Sequence, residues 1–181
     1  MSVRFAVKKL VVYFHGFGSS PESSKTVRLR ESLSSEYEVH AFPIDIDADI
    51  ALVELTDRID SLLLEDMHRP DKVLFVGTSL GGWWASKLGE LYNIPAIVIN
   101  PSITPHTSLH KHNVSEEIAS KYTPIVPSSK NKYFFGLQDT VIDSTAFRKS
   151  LDDIGVKYTL ADASHRFNGE EFELVIAAIQ K

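Results

Sequence analysis

The sequence predicts a three-layer α/β fold: a mostly parallel sheet of about six strands with helices on both faces. Three observations carry this. Short apolar runs recur along the chain, and they are mostly continuous rather than alternating, as strands covered on both faces require. Between them lie segments whose apolar residues fall at the helical period. Strand and helix alternate, and alternation of that kind gives an open parallel sheet with right-handed crossovers.

The elements follow in order. Leu10 to Phe14 (LVVYF) is the first strand. After Pro21 a helix carries Val27, Leu29 and Leu33, with Ser20 or Ser23 as its N-cap. Tyr37 to Phe42 is the second strand, and His40 within it is a packing or edge residue. The next connection is a helix with Leu52, Leu55, Ile59, Leu62 and Leu63 on one face. His68, beside Arg69 and Pro70, caps its C-terminal end. Val73 to Val76 is the third strand, and Gly82, Trp83 and Trp84 continue the helix behind it, the tryptophans as core. Ala96 to Ile99 is the fourth.

The rhythm then breaks. Between Pro101 and Lys130 stand Pro101, Pro105, Pro124 and Pro127, with no strong period and only a short helical patch around Ser115 to Ser120. Residues 101–130 are expected to be a short cap over the sheet edge, too short for a second domain, so that 1–181 is one domain. Tyr133 to Phe135 and Val156 to Leu160 are the last two strands. Phe172, Val175, Ile176 and Ile179, at i, i+3, i+4 and i+7, mark the final helix.

Composition bounds the function. The 181 residues are 43% hydrophobic and 24% charged, ordinary for a globular protein. A chain of this size buries roughly 70% of its unfolded surface, enough for a layered core. The formal net charge of -5, with no basic patch, argues against nucleic acid or an anionic membrane as partner. The absence of cysteine excludes disulfides, thiolate zinc sites and a cysteine nucleophile. The segment MSVRFAVKKLVVYFHG has no secretory-leader pattern, and no apolar run approaches the roughly 18 residues of a membrane span. The expectation is a cytoplasmic protein acting on a small molecule, without cofactor or metal.

In open parallel sheets the loops leaving the carboxyl ends of the strands build the site. The loop after Val76 reads Gly77-Thr78-Ser79-Leu80-Gly81, a G-x-S-x-G match. A strand turning at once into a helix leaves no room for β-carbons beside the serine, so Gly77 and Gly81 remove them, and the Ser79 hydroxyl projects over the sheet. Leu80 opens the helix with an unpaired N–H aimed at the same space.

A serine hydroxyl needs a base. Of the seven histidines, His165 stands just past the last strand, in ADASHRF, at the carboxyl edge. The base needs an orienting carboxylate. Asp139 lies in the turn after Tyr133 to Phe135, and Asp143, four residues on, opens the next helix. A turn residue can reach across strand ends, while an N-cap has its own N–H groups to bind. Asp139 is therefore assigned to His165 and Asp143 to the cap, with Asp162 as runner-up. The order Ser79, Asp139, His165 is that of α/β-hydrolases.

An oxyanion also has to be held. The first strand ends in His15-Gly16-Phe17-Gly18, where the two glycines, Gly16 and Gly18, let the backbone approach the serine. The N–H of Phe17 is the expected second donor beside that of Leu80. His15 is read as shaping this loop.

The motifs YFHGFGSSPESSK, GTSLGGWW, IVINPS, QDTVID and SHRF together resemble the YqiA-type esterases, compact bacterial α/β-hydrolases. The resemblance runs from Tyr13 to Phe167 and implies Ser79, Asp139 and His165 as a catalytic triad. Ser164 departs from the Asn common at that place in the family, and Pro105 to Lys130 also differs. The expected activity is hydrolysis of carboxylic esters or thioesters of small to medium acyl groups. Alternatives on the same fold are a non-catalytic binding protein and an acyltransferase or peptidase.

Two further stretches lead to blander expectations. His106, His110 and His112, in PHTSLHKH, show no helical pattern and no nearby carboxylate, so a solvated cap loop is expected rather than a metal site. Ser19, Ser20, Pro21 and Glu22 lack the G-x-x-x-x-G-K-[ST] pattern of a phosphate loop.

Overall fold

The structure, a computed structural model, describes residues 8–65 and 72–181. His68 lies outside the described residues. Within them six strands form one sheet: β1 (Lys9–Phe14), β2 (Tyr37–Ala41), β3 (Val73–Thr78), β4 (Ala96–Ile99), β5 (Lys132–Gln138) and β6 (Tyr158–Ser164). Their order is β2-β1-β3-β4-β5-β6, and every neighbouring pair is parallel. The helices are α1 (Ser24–Ser32), α2 (Ala48–Glu65), α3 (Leu80–Tyr92), α4 (Pro105–Ser108), α5 (Glu116–Ala119), α6 (Thr145–Asp153) and α7 (Phe172–Ile179).

Side chains alternate across a strand, so each strand feeds two cores. From β1, Leu10, Val12 and Phe14 join α2, α3 and α6 on one face. Val11 and Tyr13 join α1 and α7 on the other. The result is the helix–sheet–helix arrangement the sequence predicts.

Local differences have physical reasons. Val27 is exposed, and α1 buries Thr26, Leu29 and then Leu33. That stripe is i, i+3, i+7, and Val27 lies off it. Ser23, not Ser20, is the N-cap, and its hydroxyl accepts from the Thr26 N–H. The strand predicted over Val156 to Leu160 runs from Tyr158 to Ser164 instead. It is an edge strand whose inward residues near the end are Ala161 and Ala163, too small to give an apolar signal. β3 and β5 also run on to Thr78 and Gln138, ending directly against the loops of interest.

Residues 101–130 are better anchored than a loose loop. PHTSLHKH is helical, formed by α4 and a 3₁₀ turn over Leu109–His112, contrary to the sequence expectation. Leu109, Ala119, Tyr122 and Ile125 are buried in the core beside α3. The Tyr122 ring lies 4.9 Å from that of Trp83, and its hydroxyl donates to the Ile46 carbonyl at 2.8 Å. Trp83 and Trp84 are buried core residues, and the Trp83 indole N–H donates to the Thr123 carbonyl at 2.7 Å.

Candidate active site

β3 and α3 meet at Ser79 with no loop between them. Ser79 has φ 57° and ψ -121°, a conformation costing on the order of 1–3 kcal/mol in a residue other than glycine. Its surroundings hold it there. The Ser79 N–H donates to the Ile99 carbonyl at 3.0 Å, and its carbonyl accepts from Gly82, Trp83 and Ser102. A β-carbon on Gly77 would strike the Gly81 carbonyl, and one on Gly81 would strike the Phe14 carbonyl. Both glycines are thus required by close backbone approach. Gly16 is less tightly held: a β-carbon there would sit 3.3 Å from the Thr78 carbonyl oxygen and 3.4 Å from the Ser79 β-carbon.

His165 reaches this serine from the end of β6. Its Nε2 is 3.0 Å from Ser79 Oγ, and its Nδ1 is 2.8 Å from Asp139 Oδ2. A carboxylate only accepts, so Nδ1 carries the proton and Nε2 faces the hydroxyl with its lone pair. The turn that presents His165 closes with the Phe167 N–H donating to the Ser164 carbonyl at 3.1 Å. The fully buried Phe167 ring anchors it.

Asp139 uses both oxygens. Oδ2 holds His165, while Oδ1 accepts the N–H groups of Val141 and Ile142 at 2.8 and 2.9 Å. The Asp139 side chain is only 6% exposed, and burial alone would raise its pKa. The hydrogen bonds from His165, Ile142 and Val141 outweigh that and hold it below the ordinary carboxylate value. Binding backbone N–H groups therefore does not separate Asp139 from Asp143, as the sequence argument assumes, since Asp139 does both tasks with different oxygens. Asp143 accepts from the Thr145 N–H at 2.9 Å, one residue before the helix N-cap Ser144. Asp162 points elsewhere, accepting from the Gln138 amide at 3.3 Å.

Of the two expected oxyanion donors, Leu80 directly follows Ser79 and Phe17 lines the same cavity as Ser79. Leu80 is the first residue of α3, so its N–H has no partner within the helix. Phe17 sits in the turn after β1, where the Ser19 N–H donates back to Gly16. Among the described residues neither N–H is taken up by a backbone acceptor. His15 is buried, and its Nδ1 donates to the Gly16 carbonyl at 3.0 Å, within the loop it was expected to shape. Burial lowers its pKa, so it is neutral near pH 7.

Among the described residues the other histidines take no part in this chain of bonds. His40 stands on the edge strand β2, 2.6 Å from Glu38. His112 packs its ring 5.3 Å from that of Phe17. Among the described residues no three histidines, aspartates or glutamates gather as a metal site would need.

Asn100 is a site residue that motif reading missed. It follows β4 and is buried, with φ 40°. Its Nδ2 donates to the carbonyls of Ser164 and His165, both at 3.1 Å, and its Oδ1 accepts the Gly136 N–H at 2.7 Å. One amide thus ties the strand bearing Asp139 to the turn bearing His165. The signal available in the sequence was an Asn-Pro pair immediately after a buried strand.

The comparisons with known proteins agree with this geometry at the level of family and fold. The family described as Uncharacterised protein family (UPF0227) matches residues 10–133, and the chain belongs to it. A UPF0227 protein of Citrobacter koseri is 27% identical over 150 residues, covering 78% of this chain and 82% of that protein. The UPF0227 protein YcfP of Salmonella arizonae is 28% identical over 137 residues, 68% of each. Among solved structures, Est1E from Butyrivibrio proteoclasticus superposes with a TM-score of 0.72 at 15% identity, over 96% of this chain and 86% of that one. Alpha/beta hydrolase domain-containing protein 10 from mouse gives 0.65 at 17% identity, over 94% and 88%. The fold is that of the α/β-hydrolases.

Proposed function

We propose that this UPF0227 member is a serine hydrolase that cleaves carboxylic esters or thioesters of small to medium acyl groups. The observation that carries this is the unbroken run of hydrogen bonds from Asp139 through His165 to Ser79, at 2.8 and 3.0 Å. It ends on a hydroxyl held in a strained backbone, a feature that clusters at active sites.

The chemistry follows from the roles. His165 Nε2 takes the Ser79 proton as Oγ bonds to the acyl carbon, and the carbonyl electron pair moves onto oxygen. The Leu80 and Phe17 N–H groups hold that oxyanion; losing one such donor costs roughly 10²–10³ in rate. Collapse breaks the bond to the leaving alcohol or thiol, which takes its proton from His165. Water, deprotonated by the same nitrogen, then attacks the acyl-enzyme and frees the acid and Ser79. Asp139 keeps the imidazole in the tautomer this needs and stabilises the imidazolium.

The test is hydrolysis of simple acetyl and butyryl esters by the wild-type chain and by Ser79→Ala. Wild-type turnover abolished in the variant, with its melting temperature kept, is the expected result. Turnover that survives in Ser79→Ala would overturn the assignment.

A further inference from the structure

The cavity beside Ser79 has a charge character that hydrolysis alone does not require. It has a volume of about 380 Å³ and is lined by Ser79 and His165 together with Lys25 of α1 and Arg166 of the turn after β6. Among the described residues no carboxylate lines it, although acidic residues outnumber Lys and Arg 24 to 19 in the chain.

Among the described residues Lys25 and Arg166 make no salt bridge or side-chain hydrogen bond. Their neighbours on α1 behave differently: Arg28 pairs with Glu173 at 2.6 Å and Arg30 with Glu22 at 2.7 Å. Lys25 is half-buried. Burial first, and then the nearby Arg166 charge, pull its pKa down to about 8, against an upward pull from Glu171. Glu171 itself accepts from the Gly169 N–H at 2.9 Å. A half-buried cation beside a second cation is costly unless something negative joins them.

Direction follows from the chemistry. His165 must hand a proton to the departing group, so that group lies on the His165 side. An adjoining cavity of about 140 Å³ shares Gly16 to Ser19 with the first but is lined by Leu80, Ile44, Asp45 and Ile46 in place of His165, Lys25 and Arg166, and suits the acyl part.

We infer that the natural substrate is an ester or thioester whose leaving group carries an oxyanion, a carboxylate or a phosphate, held between Lys25 and Arg166. This rests on the hydrolase assignment of Ser79 and deepens it.

The experiment compares kcat/KM of the purified full chain on three acetyl esters: 3-acetoxybenzoate, 3-acetoxyphenyl phosphate and the neutral 3-acetoxybenzamide. One or both anionic esters should exceed the neutral one by roughly ten-fold or more at low ionic strength, and which one does identifies the anion. The ratio should fall toward one as salt is raised, because partly exposed charges are screened. It should also fall as pH passes about 8 and Lys25 loses its charge, with Arg166 and Glu171 the charges facing it. Lys25→Met combined with Arg166→Met should bring the ratio to about one. A wild-type ratio of about one, or a ratio unmoved by salt, overturns the inference while the turnover itself keeps the hydrolase assignment. A preference seen instead between phenyl hydrogen glutarate and phenyl valerate, where the charge is on the acyl side, overturns the leaving-group placement. No turnover of any ester by the folded wild-type chain overturns both.

Discussion

Asn100 donates from its side-chain amide to the backbone carbonyl of His165 at 3.1 Å, although 65 residues separate them. The same side chain receives the Gly136 N–H, three residues before Asp139. The histidine and its carboxylate are thus referenced to one buried amide at the end of β4, next to the strand that ends in the serine elbow.

Asn100→Ala should therefore lower stability and activity together. It strands two carbonyls and one N–H in a partly buried site, costing up to about 1–3 kcal/mol for each that finds no water. It also places alanine at a positive φ that asparagine tolerates better. Asn100→Asp keeps the acceptor for Gly136 but turns an oxygen toward two carbonyls, so it too should fail. In both variants kcat should drop more than KM rises, because the geometry of the base is disturbed and not the pocket wall. Urea denaturation and steady-state kinetics check this; a stable variant with wild-type kcat contradicts the positioning role.

Asp139→Asn should cost kcat ~10³–10⁴-fold, because the amide favours the wrong imidazole tautomer. Its Oδ1 can still serve Val141 and Ile142, so the turn should survive. Asp143→Asn should leave kcat nearly intact, since an asparagine oxygen still accepts from Thr145. The reverse ranking would mean the two carboxylates have exchanged tasks.

Lys25→Met should stabilise the protein near pH 7. The folded-state pKa of about 8 lies below the ordinary 10.5, so folding disfavours the charged lysine. In the wild type that penalty is present below about pH 8 and is relieved as pH rises toward 10.5, where the unfolded chain also loses the proton. The gap between variant and wild-type urea midpoints should thus shrink across that window. A variant less stable than the wild type at pH 7 contradicts it. A cation kept at a cost in stability fits a binding task.

The legibility of these features varies with how local their causes are. Four of the six strands are readable because they form continuous apolar runs between two cores, and the edge strand β2 because Tyr37, Val39 and Ala41 alternate toward one core. β6 is misplaced by the same logic, since Ala161 and Ala163 pack an edge strand without an apolar signal. Ser79 is legible because its two glycines answer a local steric demand. His165 and Asp139 are legible because each directly follows a strand. Asn100 is not, because its partners at Gly136, Ser164 and His165 are brought to it only by the sheet order. The burial of Leu109, Ala119, Tyr122 and Ile125 is hidden for a similar reason: spaced singly among polar residues, they read as a solvated cap until Trp83 is placed beneath them.

That burial sharpens the acyl preference. With Leu109, Tyr122 and Ile125 committed to the core, residues 101–130 have little apolar surface left to line a long groove. Each methylene that finds a wall gains about 0.8 kcal/mol, so discrimination should stop growing when the small cavity beside Leu80 is full. Across p-nitrophenyl esters from acetate to palmitate, kcat/KM should level off or fall after a few methylenes. A steady rise out to palmitate would point to a long-chain binding groove.

The nucleophilic role of Ser79 is tested most directly by a fluorophosphonate probe followed by peptide mapping. Such probes modify a serine only where a base activates it. One probe per chain is expected, on the peptide containing Ser79. Labelling should disappear in Ser79→Ala and weaken strongly in His165→Ala, with both variants folded. Stoichiometric labelling of any other residue, or none of a folded wild-type chain that withstands denaturant, would contradict the account.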